Sequence, residues 1–217
     1  MTYIPASGGS GFPSFVDNFD GASLADNWIL YGNNSTDMTA APSGGKLVME
    51  IKNGYDGANL IPRIFMPVPY VPCEIEAKLH SYNKGNRTKT GVIIGADSHA
   101  ETGNVDFRAF LQCYSSGDGI DGCRVEGNAQ ALSSVESSTV PKWFKVVIKG
   151  SHRYAQWLFY WSTNGTSWTL NYTSTVASLG IGALFCGLMI GNWYNQPLAQ
   201  AQWEYFKVSP YLQYGPG

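Results

Sequence analysis

No window of eleven or more residues in this chain carries an apolar period of 3.6 free of glycine or proline. A chain interrupted so often cannot present the continuous apolar stripe a helix buries, so its core has to be assembled from strands. What recurs instead, at intervals of roughly ten residues, is a short run in which apolar and polar side chains alternate. Phe144, Val146 and Ile148 point one way while Lys145 and Lys149 point the other, and Trp157, Phe159 and Trp161 share one face. The alternation predicts strands at 46–51, 74–80, 91–95, 106–114, 144–149, 156–162, 183–190 and 202–208, with a single helical turn at most, over 23–28 after Asp20-Gly21. The 25 glycines and 11 prolines supply the breaks between them. Asn164-Gly165 predicts a tight primed hairpin turn. A second hairpin is expected around 115–119, with Cys113 and Cys123 equidistant from Asp118, facing across the ladder and joined by a disulfide in an oxidising setting. The expectation is an all-β, two-sheet antiparallel domain over 15–210, a flexible Gly-, Ser- and Pro-rich arm over 1–14 and a short tail over 211–217.

Charge excludes several classes of function. Charged residues make up 14% of the chain, against about 25% in an average soluble protein, and 14 Lys+Arg against 16 Asp+Glu leave a net charge of −2. Broad attraction to nucleic acid or to an anionic lipid surface has no basis in such a balance. The longest apolar stretch, 179–191, is broken by Gly180, Gly182 and Gly187 and falls short of the roughly 20 residues of a membrane helix, so no membrane span is expected. Residues 1–14 contain neither Lys nor Arg nor an apolar run, which predicts a native start without a secretory leader. Cys73, Cys113, Cys123 and Cys186 show no C-x-x-C spacing, and His80, His99 and His152 form no metal-ligand pair, so buried thiols and no zinc are expected.

Several stretches, in their order along the chain, resemble the concanavalin A-like jelly-roll sandwich in its lectin, glucanase and laminin-G-like branch. They are Asp17-Asn18-Phe19-Asp20-Gly21 with Leu24 and Trp28, Pro42-Ser43-Gly44-Gly45-Lys46-Leu47, and Cys73-Glu74-Ile75-Glu76-Ala77-Lys78. Gly91-Val92-Ile93-Ile94, Trp143-Phe144-Lys145-Val146, Ser162-Thr163-Asn164-Gly165-Thr166-Ser167-Trp168 and Trp203-Glu204-Tyr205-Phe206-Lys207-Val208 follow. The resemblance implies two curved antiparallel sheets with neighbouring termini. It does not imply one activity, because the fold hosts lectins, carbohydrate-binding modules, β-glucanases and structural spacers. The laminarinase-like branch carries Glu-x-Asp-x-x-Glu on one strand; here Glu74, Glu76 and Leu79 occupy those positions, with a Leu where the acid/base should stand. Glu74, Glu76 and Lys78 are therefore expected to form a solvated face of mixed charge, and the chain is expected not to be an enzyme.

No cofactor is required by any motif. The jelly-roll resemblance implies a structural calcium where the first and last strands meet, for which Asp20 and Glu204 are the candidates, against the reading that both are ordinary exposed residues. For sugar binding the requirement is a flat aromatic beside planar amides or carboxylates. Asn192, Trp193, Tyr194, Asn195 and Gln196 after the 183–190 strand meet it, with Asp106, Arg108 and Tyr114 as secondary candidates, and core packing is the competing role of Trp193. The arm segment with Tyr3, Ile4 and Pro5 resembles N-terminal segments of tailed-bacteriophage fibre and virion surface proteins. That resemblance implies attachment to other virion proteins through the arm, a virion-surface location, host or environmental glycans as ligands, and room for a homo-oligomer.

Overall fold

The computed structural model describes residues 13–31, 38–51, 63–83, 88–97, 106–115, 121–127, 130–136, 140–149, 156–175, 183–192 and 199–211. Its regular elements are all strands. In chain order they are β1 (Phe15–Asp17), β2 (Ile29–Tyr31), β3 (Met38–Pro42), β4 (Leu47–Ile51) and β5 (Arg63–Pro67). Then come β6 (Cys73–Tyr82), β7 (Thr88–Asp97), β8 (Asp106–Ser115), β9 (Asp121–Gly127) and β10 (Gln130–Glu136). The chain closes with β11 (Trp143–Lys149), β12 (Gln156–Ser162), β13 (Thr169–Thr175), β14 (Ala183–Asn192) and β15 (Ala199–Pro210). Each run expected from alternation is a strand. The stretch 23–28 holds only a turn, closed by the Trp28 amide donating to the Ala25 carbonyl at 3.0 Å.

The strands form two antiparallel sheets. The front sheet has eight strands, ordered β13, β12, β11, β6, β15, β4, β3, with β1 also paired to β15; the back sheet has seven, ordered β10, β9, β8, β7, β14, β5, β2. First and last strands are direct neighbours, Phe15 opposite Val208 and Asp17 opposite Phe206, so the two ends of the described chain lie side by side. Tyr70 reinforces that junction by donating to the Pro13 and Val208 carbonyls at 3.1 and 3.2 Å. Among the described residues no helix is long and apolar enough to cross a membrane.

The core lies between the sheets. Cys73, Ile75, Ala77 and Leu79 of β6, Phe144, Val146 and Ile148 of β11, and Trp203, Phe206 and Val208 of β15 meet Ile64, Val92, Ile94, Leu184, Cys186, Leu188 and Ile190 from the back sheet. Alternation along β5, β7 and β14 turns Phe65, Ile93, Phe185 and Met189 to the outer side of the back sheet, where they too are buried. The polar outer side of the front sheet is thus chemically distinct. Gly187 marks a close approach in the back sheet: a Cβ there would lie 2.0 Å from the Ile64 carbonyl oxygen. Cys113 is directly opposite Cys123, the register expected for the second hairpin, whose turn 116–120 is outside the described residues. The first hairpin departs from expectation. Only Gly165 adopts a positive φ (76°), so the β12–β13 connection is a longer loop and not a two-residue primed turn.

The Asp17-Asn18-Phe19 segment shows why the N-terminal motif has its composition. Asp17 accepts from the Phe19 amide at 2.8 Å and from the Trp28 indole at 2.7 Å, holding Phe19 at a φ of 54° so that its ring enters the core beside Trp28. Trp28 in turn meets Phe206 edge-on at 5.0 Å. Asp17→Ala leaves a largely buried indole N–H without an acceptor, a loss of about 1–3 kcal/mol. Urea titration should show that loss as a lower midpoint with an unchanged slope.

Candidate functional site

The outer side of the front sheet is built from three central strands. β6 contributes Glu74, Glu76, Lys78 and His80 at every second position, because Cys73, Ile75, Ala77 and Leu79 are committed to the core. β11 contributes Trp143, Lys145 and Lys149 by the same logic. In register, Trp143 stands opposite Lys78 and Lys145 opposite Glu76. On the other flank Lys78 faces Tyr205 and Glu76 faces Lys207. β15 is irregular here: its pairing with β6 shifts between Trp203 and Tyr205, so that Trp203 stays in the core while Glu204 and Tyr205 both reach the outer side.

Two Trp–Lys–carboxylate stacks result. In one, the Lys145 ammonium lies 3.1 Å from Glu74 Oε1, 3.3 Å from Glu76 Oε2 and 4.1 Å from the centre of the Trp168 ring. In the other, Lys78 pairs with Glu204 and lies 5.0 Å from the Trp143 ring, while His80 Nδ1 is 3.0 Å from Glu204. Tyr205 links the stacks: its hydroxyl donates to Glu76 Oε1 and accepts from the Trp143 indole. Burial, followed by the contact with Glu76, pushes the Tyr205 phenol well above its ordinary range, which keeps it a donor. Both oxygens of Glu76 are engaged, whereas Glu74 Oε2 has no partner among the described residues.

A rigid hairpin holds Trp168 in place. Ser162, buried, accepts from the Asn164 and Gly165 amides and donates to Asn164 Oδ1, which itself accepts from the Thr166 and Ser167 amides at 2.9 Å each. The loop leans on Trp143 so closely that a Cβ on Gly165 would come 2.8 Å from the indole nitrogen. The loop between β12 and β13 is therefore a wall of the site.

The structure treats the sequence candidates unevenly. Glu74, Glu76 and Lys78 do share a face, but they are partly buried and ion-paired, not a loose solvated surface. Asn192 lies opposite Thr88 and Asp106 opposite Ala96, at opposite ends of β7, roughly 27 Å apart at the rise of an antiparallel strand. Asn192 therefore does not converge with Asp106 and Arg108 into one sugar site. Trp193, Tyr194, Asn195 and Gln196 lie outside the described residues, as do Tyr3, Ile4 and Pro5. Asp20 is exposed in the turn after β1, and Glu204 is occupied by Lys78 and His80; the described residues contain no group of three His, Cys, Asp or Glu able to hold a metal ion. Of the cysteines, Cys73 and Cys186 are free and buried; burial pushes the Cys73 thiol up to about 12 and raises that of Cys186 as well, so both are inert at neutral pH.

No protein-family model matches the sequence, and the search of curated proteins finds no match. Solved structures do match. The CBM2 module of the evolved Dit of Lactobacillus casei BL23 phage J-1 superposes with a TM-score of 0.57 at 11% identity, over 90% of this chain and 95% of that one. An endo-β-1,3-glucanase from Pyrococcus furiosus gives 0.58 at 13% identity, over 89% and 92%. The GH43 protein BlXynB of Bacillus licheniformis gives 0.68 at 16% identity, over 90% of this chain, which spans 39% of that one. The fold is a concanavalin A-like jelly roll. At these identities the likeness establishes architecture alone. It nevertheless overturns the expectation of a non-enzyme: several of these neighbours are glycoside hydrolases, the Pyrococcus enzyme and an endo-1,3-β-glucanase (laminarinase) from Thermotoga petrophila among them. Leu79 does lie in the core, so β6 lacks the third acid of the laminarinase-like motif; the irregularity in β15 brings Glu204 to the same face from the neighbouring strand.

Partial burial raises the Glu204 carboxyl, but the hydrogen bonds and charges of Lys78 and His80 outweigh this and hold it below the usual carboxylate value. A carboxyl depressed in the folded state stabilises above its unfolded value, about 4.3, and that contribution is lost as pH falls through the folded value. Glu204→Gln should therefore lower stability at pH 6–7, and the gap from wild type should close as thermal melts are taken down to pH 3.

Proposed function

We propose that this domain engages a glycan on the outer side of the front sheet, with Trp168 as stacking platform and Trp143 as floor. The observation that carries the reading is the pair of Trp–Lys–carboxylate stacks side by side on the polar face of the sandwich. Apolar sugar faces stack on indoles, and carboxylates or amides fixed beside them accept paired hydroxyls. Trp168 has a cation fixed near its ring at 4.1 Å and is only partly buried. Glu74 presents a free carboxylate oxygen beside it. The phage carbohydrate-binding module among the structural neighbours supports the reading, and it also supports a virion-surface setting in which Tyr3, Ile4 and Pro5 attach the domain to other virion proteins.

Hydrolysis of the bound glycan is a second reading, favoured by two carboxylates, Glu74 and Glu76, on one face of one strand and both within reach of Lys145. Glycoside hydrolysis uses such a pair at roughly 5–9.5 Å. The glucanases among the neighbours support it.

Trp168→Ala should weaken glycan binding at least tenfold on an array or by calorimetry while lowering stability by about 1 kcal/mol or less, the worth of a partly exposed cation–π contact. A large fall in melting temperature with glycan binding unchanged would assign Trp168 to packing and end the reading. Reducing-end release from oligosaccharides, abolished by Glu74→Gln and Glu76→Gln, separates cleavage from binding. Detection of the chain in purified phage particles by mass spectrometry, lost when residues 1–12 are removed, tests the setting.

A further inference from the structure

Two ammonium groups on this face stand outside its ion pairs. The three central strands present four ammonium groups, Lys78, Lys145, Lys149 and Lys207, against three carboxylates, Glu74, Glu76 and Glu204. Each of the three already has a partner: Glu204 both Lys78 and His80, Glu76 both Lys145 and Tyr205, and Glu74 Lys145 through Oε1 alone. Lys207 stands directly across the ladder from Glu76, yet it forms no ion pair with it. Its neighbour on the other side is Val16 of β1, an apolar residue left 50% exposed, so no second acid compensates it there. The next carboxylate on this side of the sheet, Glu50 of β4, is taken by Gln200 at 2.6 Å. Lys149 lies 5.5 Å from the Tyr211 ring and likewise has no carboxylate among the described residues. With Glu50 included, the outer faces of β4, β6, β11 and β15 carry four lysines and four carboxylates, so what sets Lys207 and Lys149 apart is that neither is held in an ion pair among the described residues.

A partly buried lysine that no carboxylate on this face holds in an ion pair keeps its ammonium available to an anionic group of a ligand. Lys207 sits two strands from β11, about 10 Å away, within the span of a short oligosaccharide whose sugar rests on Trp168. We propose that the glycan taken by this face is anionic, bearing the carboxylate of a uronic acid or a sulfate ester, and that Lys207, aided by Lys149, reads that charge. The inference rests on the reading of this face as the glycan site.

Calorimetry on the full chain with three hexasaccharides tests it: laminarihexaose, which is uncharged, an alginate hexamer, which carries uronate, and a carrageenan hexamer, which carries sulfate. At 20 mM salt at least one charged hexamer should bind ten times more tightly than laminarihexaose, and 500 mM salt should remove most of the difference. Lys207→Gln should cut the preference several-fold without changing laminarihexaose binding, Lys207→Arg should restore it, and the tighter of the two charged hexamers tells uronate from sulfate. Equal or tighter binding of laminarihexaose, failure of both charged hexamers to bind, or a preference indifferent to Lys207→Gln overturns the inference. Trp168→Ala that weakens none of the hexamers that bind overturns the glycan site itself, a result distinct from loss of the charge preference alone.

Discussion

The ammonium of Lys145 organises the front of this molecule. It reaches Glu74, Glu76 and the Trp168 ring at once, with only 17% of its side chain exposed. An isolated surface ion pair is worth little, because water screens it and two long side chains must be ordered. Here one cation serves two carboxylates that the strand already holds at fixed spacing, and its stem is pinned between β6 and β12, so little ordering remains to oppose the contacts. Remove the ammonium and two adjacent, partly buried carboxylates repel each other while Trp168 loses the group beneath it. The arrangement of the site follows from that single position on β11.

A sheet explains why charge and aromatic rings gather there. Strict alternation puts one side of every central strand into the core, so polar residues have nowhere to go but the other side, and pairing then sets them in rows across strands. Trp143, Lys78 and Tyr205 make one row; Lys145, Glu76 and Lys207 make the next. A perfectly regular β15 could not turn both Glu204 and Tyr205 outward. The register shift does so while Trp203 remains fully buried, adding one more polar group to the face without opening the core.

Alternation is local, which is why the strands were legible and the site was not. Runs such as Phe144-Lys145-Val146 and Trp157-Leu158-Phe159 announce themselves, whereas β1, β2 and β3 are three to five residues long and owe their existence to the partners they pair with. β9, β10 and β13 read as polar because periodicity needs apolar residues to count. The charges Glu74, Glu76 and Lys78 were visible as one face, but what converts them from solvated surface into a site comes from positions far along the chain: Lys145, Trp168 and Tyr205. Their meeting depends on β6 lying between β11 and β15, a pairing no stretch of sequence encodes by itself. Register is equally absent from the local pattern that marks 183–190 and 106–114 as strands: β7 pairs with Asn192 at one end and with Asp106 at the other.

The hairpin between β12 and β13 fixes the geometry of the site from its edge. A loop that merely connects strands tolerates a loosely held tip, yet here two side chains, Ser162 and Asn164, together accept four successive backbone amides, from Asn164 through Ser167. The only positive φ in the loop falls on Gly165, where any side chain would also strike the Trp143 indole. Such a loop has one conformation, and that conformation presses on the indole whose N–H points at Tyr205. Tyr205 in turn donates to Glu76. The tip of the hairpin is therefore mechanically connected, through Trp143 and Tyr205, to the carboxylate at the centre of the sheet, while its far end delivers Trp168 over Lys145. Stacking platform and carboxylate are positioned by the same element, so a sugar resting on the ring meets acceptors whose geometry is already set, and binding need not bear the entropy of assembling them.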